Sequence, residues 1–347
     1  MESSTARALA IAGALALLLG GATAAPVADG SSTTSQAGHA SLAQAGVLAK
    51  PGKAQGSRRT TARWSGSVRV RQRSAVETAY ARSFAPGLEL GTGWTGSDSR
   101  CQAGTTSAAS RAATLRAVNF VRSLSGLAPV TFSPTLNARS QQTALMMSAN
   151  SSLSHTPPRN WRCWSAAGAA NAGRSNLALS YPAITSSGLV ELYMRDPGPS
   201  NAAVGHRRWL LNPFTTTMGT GATDTANAMT VVGPTAVRRP NPAWVSWPSA
   251  GYFPQTLEPG GRWSLSAGNR QMDFRRATVR VYRDGQPVRT TKLAVHPGYA
   301  QPTLVWQLPA SVARTGTFQV VVRGARLPGS AESFGRSYVV RMFDPSS

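Results

Sequence analysis

Ser133-Pro134-Thr135-Leu136-Asn137-Ala138-Arg139-Ser140-Gln141-Gln142-Thr143-Ala144-Leu145-Met146-Met147, followed by Leu153-Ser154-His155, is the stretch on which the fold turns. Ser133 can offer its side-chain oxygen to the unpaired amides of a first helical turn. Pro134 suits the first helical position, where its missing N–H is not needed. The spacing predicts a helix to about residue 150, with Leu136, Thr143, Ala144 and Met147 on one side. His155 then lies just past its end. Working upstream, Thr106 or Ser107 caps a helix to about Leu124 that carries Leu115, Val118 and Val121 on one face, and Gly126 stops it. Downstream, residues 187–196 read as a third helix. A short turn carries Gly205-His206-Arg207-Arg208-Trp209-Leu210-Leu211, and residues 229–232 read as a strand.

Beyond residue 236 the periodicity changes to two. Residues 277–282 alternate, Asp284-Gly285 is a hairpin signal, and residues 304–308, 317–322 and 337–342 read as further strands. The expected fold class is therefore α+β: a helical domain over residues 101–235, then a small immunoglobulin-like β-sandwich over residues 236–347. No internal repeat is visible. Trp244-Val245-Ser246-Trp247-Pro248, with Tyr252-Phe253, suits either an aromatic glycan platform or the seal of a domain junction.

The first 25 residues read as a signal peptide: Arg7, an apolar run from Ala8 to Gly20, then Ala22-Thr23-Ala24 as a small-x-small cleavage site. The run is too short and too rich in Ala and Gly for a membrane anchor. A secreted protein, extracellular or periplasmic, with no transmembrane segment in its mature form is expected. Residues 26–100 read as a flexible basic linker and lead-in. Up to about residue 60 they hold hardly a large apolar side chain, and residues 61–100 are ambiguous. Within them, residues 67–73 alternate Val with Arg and suit a short strand. Export with an even cysteine count predicts a disulfide between Cys101 and Cys163.

Charge is spread along the chain. The net +23 divides into 0 over residues 1–25, +6 over 26–100, +7 over 101–235 and +10 over 236–347. Such a field favours anionic partners, an envelope surface or an acidic glycan. Nucleic acid is not indicated, because no helix-turn-helix, zinc-finger or aromatic RNA-binding motif is present. Nucleophile-elbow, phosphate-loop and dinucleotide motifs are absent too. Ionisable groups are scarce in residues 101–235: the histidines are His155 and His206, and the acids are Glu191, Asp196 and Asp224. Two imidazoles and a carboxylate can serve acid–base chemistry or hold a divalent metal. A structural role for each histidine is the competing reading.

Five pieces in order resemble the CAP superfamily (cysteine-rich secretory protein, antigen 5, pathogenesis-related 1). They are Asn119-Phe120-Val121-Arg122 with Gly126-Leu127-Ala128-Pro129-Val130; Leu136 to Met147 with Leu153-Ser154-His155; Ser175-Asn176-Leu177-Ala178; Tyr193-Met194-Arg195-Asp196; and Gly205-His206 with Met218-Gly219-Thr220-Gly221. The resemblance spans about residues 101–233 and implies an α/β/α sandwich. It also implies a cleft with two histidines and two glutamates that binds a divalent metal in some members. Here the histidines fall on His155 and His206. One acidic position falls on Asp196, and the other falls on Ser175, which is not acidic. The tetrad is incomplete, so the resemblance implies at most weakly bound Zn²⁺ or another divalent metal at His155 and His206. The expected role is binding of a lipid, sterol or envelope ligand in the cleft of His155, His206, Asp196 and Ser175. A weak metal-assisted hydrolase using His155, His206 and Asp196, or a wall- or glycan-binding protein acting through the basic β-region, are the alternatives.

Overall fold

The computed structural model describes residues 68–236, 242–268 and 271–345. The expected signal peptide and the linker to residue 67 lie outside the described residues. Among the described residues, no helix is long and apolar enough to cross a membrane.

The first part runs α1 (Arg73–Ser83), α2 (Ala108–Leu124), β1 (Thr131–Phe132), α3 (Pro134–Ala149), α4 (Ala166–Ala172), β2 (Ser175–Leu179), α5 (Gly188–Arg195), α6 (Gly205–Leu210), β3 (Thr217–Ala222) and β4 (Ala226–Thr230). The caps read from sequence are in place: Ser107 accepts from the amide of Ser110, and Ser133 from that of Leu136. Two local expectations are corrected. The stretch 67–73 does not pair as a strand; its described residues are irregular and lead into α1. Residues 205–210 are a helix, not a turn, held by the burial of Arg207 and Arg208 discussed below.

Strands β1 to β4 form one sheet of order β1-β3-β4-β2, with β1 and β3 parallel and the other pairs antiparallel. α3 lies so close to β3 that a Cβ on Gly219 would sit 2.4 Å from Leu136 Cβ, and one on Gly221 would sit 2.1 Å from the Gln141 amide nitrogen. Only glycine admits that approach. The approach lets Asn137 and Gln141, four residues apart on α3, accept from the amides of Thr220 and Ala222. Ala144, Met147, Ala172, Leu177, Ala226 and Ala228 form the small apolar layer beneath α3 and α4. On the opposite face, Tyr193 of α5 donates to the Asn227 side chain of β4 at 3.0 Å. Helices thus cover both faces of the sheet. The disulfide joins Cys101 to Cys163, as expected.

The second part is β-rich: β5 (Trp244–Trp247), β6 (Gly251–Pro254), β7 (Arg262–Ala267), β8 (Thr278–Arg283), β9 (Gln286–Val288), β10 (Thr291–Lys292), β11 (Thr303–Gln307), β12 (Gly316–Arg326) and β13 (Ser333–Phe343). These strands make two sheets, β10-β11-β7-β5 and β6-β13-β12-β8-β9. Trp263 of β7 meets Phe318 of β12 edge-on at 5.1 Å, so the inner faces interdigitate. The β8–β9 turn places Asp284 and Gly285 at positive φ (48° and 84°) between Arg283 and Gln286, the two-residue hairpin read from sequence. Trp247 is fully buried against Phe253 at 4.9 Å and Trp244 packs on Phe274. Trp247 and Phe253 therefore seal an interior, with Trp244 and Tyr252 half-buried at its edge. One apolar cluster continues from Val76, Phe120 and Leu210 into Trp247, Trp263 and Phe318. Mixed helix and sheet is thus the observed class.

Candidate functional site

Three elements converge on His206. α5 ends at Asp196, whose backbone is left-handed (φ 50°) while its amide still donates to Leu192. That reversal swings the carboxylate toward the start of α6. Asp196 Oδ1 then accepts from His206 Nδ1 at 2.8 Å, and Oδ2 accepts from the Arg207 amide at 3.3 Å. One turn earlier on α5, the Tyr193 ring stacks on the imidazole at 5.3 Å. From β2, the Asn176 amide donates to the His206 carbonyl at 3.0 Å. The Asp196 side chain is wholly buried and that of His206 is 23 % exposed. A carboxylate only accepts, so Nδ1 carries a proton, and in the neutral ring Nε2 holds the lone pair.

A charge buried as deeply as Asp196 needs compensation. Beside it Arg207, also buried, donates Nε to Met194 O (2.7 Å), Nη1 to Arg262 O (2.8 Å) and Ser264 Oγ (3.1 Å), and Nη2 to Arg195 O (3.2 Å). Burial pulls its pKa down to about 10, while the charges of Asp196 and Glu258 hold it up. It stays protonated at neutral pH. Burial likewise holds the Tyr193 phenol well above its ordinary range, so it remains a neutral donor to Asn227.

His155 is held by other means. It lies in the loop between α3 and α4, and its Nδ1 meets the Ala172 carbonyl at the end of α4 at 2.9 Å. A carbonyl only accepts, so here too Nδ1 donates and Nε2 is left free. The loop is fastened at Asn150, whose side chain bonds the carbonyls of Met146 and Arg162 and the amide of Arg162. Beside Arg162, Cys163 ties the loop to Cys101.

The structure therefore joins His206 with Asp196 and anchors His155 at the α4–β2 junction. Ser175 bonds neither imidazole: its hydroxyl donates to Asn171 O at 2.8 Å and accepts from Asn171 Nδ2 at 3.1 Å, against α4. Its neighbour Asn176 reaches His206 because successive strand residues face opposite sides. That alternation was a signal available in Ser175-Asn176 itself. Tyr193 and Arg207 gave no such signal.

Residues 115–233 match the family model described as the cysteine-rich secretory protein family, CAP. This segment is a CAP domain. No curated protein matches the chain. Among solved structures, PcoC, a methionine-rich copper resistance protein from Escherichia coli, aligns at 16 % identity and a TM-score of 0.22, over 28 % of this chain and 93 % of that one.

The donor set of the CAP domain does not fit a three-ligand metal site. Among the described residues no group of three or more His, Cys, Asp or Glu side chains is placed to hold an ion. Both Asp196 oxygens are engaged by His206 and Arg207, and the Ser175 hydroxyl is engaged by Asn171. Of these four residues, only the Nε2 atoms of His155 and His206 are left without a partner described above. Zinc sites use three or four protein ligands, a number these residues do not supply.

Proposed function

We propose that the CAP domain is the ligand-binding module of an exported protein, with the cleft around His155 and His206 as its site and a lipid, sterol or other envelope ligand as its occupant. The observation that carries this reading is the common state of the two histidines. Each has Nδ1 fixed by a buried acceptor, and each presents Nε2 from a position that solvent reaches. Imidazoles held this way accept a hydroxyl hydrogen bond or, weakly, a divalent metal. Export is supported by the N-terminal sequence and the disulfide. The β-rich part, proposed as an immunoglobulin-like sandwich over residues 236–347, carries +10 of the net charge and would face an anionic envelope or glycan surface.

A second reading has one observation in its favour. The buried Asp196 carboxylate at 2.8 Å from His206 fixes the tautomer and would stabilise an imidazolium, the arrangement a general base needs. In that reading His206 Nε2 takes a proton from water or a hydroxyl, and Asp196 holds the resulting cation.

The test follows the ring nitrogens. In ¹⁵N-histidine spectra, cholesterol, oleate or Zn²⁺ should shift the Nε2 signals of His155 and His206. His155→Ala with His206→Ala should lose saturable binding of the same probe. If none of the three probes moves either signal, the cleft reading fails.

A further inference from the structure

The sheet β6-β13-β12-β8-β9 turns its two faces to different surroundings. Side chains alternate across a strand. On β12, Phe318, Val320 and Val322 point inward and are buried, whereas Thr317, Gln319 and Arg323 point outward and are exposed. The register carries that parity to the neighbouring strands. Arg341 of β13 pairs with Thr317, and on β8 Tyr282 pairs with Gln319 and Arg280 with Val321. Tyr252 of β6 stands beside Arg341. The outer face therefore carries Arg280, Arg323 and Arg341, with Tyr252 and Tyr282 among them. Arg280 and Arg323 are diagonal neighbours, about 7–8 Å apart at the backbone. Arg341 lies four residues along and two strands over from Arg280, roughly 16 Å away at the usual strand rise and spacing.

These three guanidiniums are exposed, and none of them forms an ion pair among the described residues. Arg341 lies over the Tyr252 ring at 5.8 Å. The acids of the β-rich part are placed elsewhere. Glu258 is buried against Trp263 Nε1, and Asp273 pairs with Arg275. Asp284, in the β8–β9 turn, accepts from the Thr317 amide at 2.8 Å and faces Arg283 at 3.8 Å. Glu332 and Asp344 flank β13. The outward positions of β8, β12 and β13 hold no acid, so this face is positive throughout. Guanidiniums meet carboxylates through paired N–H donors. A tyrosine ring offers its π face to the C–H groups of a sugar, and Gln319, in the row between Arg341 and Arg280, can both donate to and accept from sugar hydroxyls. A bilayer calls for large apolar groups to insert, but the exposed large hydrophobics are Tyr181 and Tyr299, which are not on this sheet. Base stacking calls for rings that stand free, and both tyrosines here are half-buried in a flat sheet.

We propose that the outer face of this sheet binds a carboxylate-bearing polysaccharide, with uronate groups on Arg341 and on the Arg280–Arg323 pair and a sugar ring over Tyr282. This site rests on the anionic-surface reading of the β-rich part given above and narrows it to one face and one class of polymer.

The test uses the full-length exported protein with polygalacturonate, dextran as a neutral polymer and double-stranded DNA as a second polyanion, in about 0.15 M salt so that long-range attraction is screened. Saturable binding of polygalacturonate and none of dextran is expected. Arg280→Glu with Arg323→Glu should weaken that binding about tenfold or more. Both side chains are exposed and unpaired, so the melting temperature should hold. Tyr282→Ala should weaken binding about threefold without a change of charge. Arg116→Glu with Arg139→Glu makes the same change of net charge on exposed positions of α2 and α3, and should leave binding within about twofold of wild type. Equal weakening by the two double variants would overturn the proposed face while leaving the anionic-surface reading standing. Absence of saturable binding by the wild type overturns both. DNA bound as tightly as polygalacturonate, and lost with Arg280→Glu and Arg323→Glu, would assign the face to nucleic acid and overturn the polysaccharide. His155→Ala with His206→Ala should leave polygalacturonate binding unchanged, so the imidazole cleft is judged separately.

Discussion

His206 and His155 end in the same chemical state by opposite routes. His206 sits on a two-turn helix whose next residue, Arg207, is buried and donates to α5 and to β7. Arg208 follows, donating to the carbonyls of His296, Tyr299 and Gln301 before β11. The helix is six residues long, too short to persist by itself; side chains from the β-rich part hold it. His155 sits on a loop with no such bracing. A covalent tie at Cys163 and the side chain of Asn150 limit its movement, and one bond to Ala172 sets its ring. One corner is rigid through buried polar contacts and the other through chain closure, so each should yield to a different perturbation.

Removing the disulfide is the largest of these. The cysteines are 62 residues apart, and the chain-entropy model assigns closure of such a loop about 4 kcal/mol. Cys101→Ser with Cys163→Ser should lower the melting temperature by about 10 °C for a unit of this size. Amide hydrogen exchange should rise around His155 before it rises around His206. Uniform loss of protection at both would show that the two corners are not independently held.

Arg207→Met comes next. It removes a buried cation beside the Asp196 carboxylate and strips donors from the carbonyls of Met194, Arg195 and Arg262. Breaking such a buried charged network costs about 3 kcal/mol or more. Calorimetric melting should detect it, and the His206 ring signals should move while those of His155 stay. Arg207→Lys should not restore the loss, because an ammonium cannot reproduce the planar fork. Wild-type stability in Arg207→Lys would mean that charge alone holds the corner.

His155→Ala is the smallest change. It deletes one hydrogen bond from an exposed ring, so denaturant unfolding should register about 1 kcal/mol or less. A larger loss would place His155 among the residues that hold the α3–α4 loop together.

Much of this molecule was legible in its sequence wherever the cause is local. Thr106-Ser107 and Ser133-Pro134 announced α2 and α3 because a cap acts within one turn, and Ser107 is the cap α2 uses. Asp284-Gly285 announced the β8–β9 hairpin because positive φ is a property of those two residues. The pairing of Cys101 with Cys163 was legible from a count of two and the expectation of export. The order of the CAP pieces singled out His155, His206 and Asp196 from a stretch poor in ionisable groups. What sequence reading missed lies across space. α6 read as a turn because its helical state depends on Arg207 and Arg208 reaching strands and loops more than 50 residues away. Ser175 was chosen for the cleft by its place in a motif, yet the pleat of β2 turns it to α4 and sends Asn176 to His206. The left-handed bend at Asp196, which aims its carboxylate, is fixed in part by Arg262 on a distant strand. Local signals fix where elements begin and end; only packing decides which side chains face one another, because that choice depends on partners with no fixed separation along the chain.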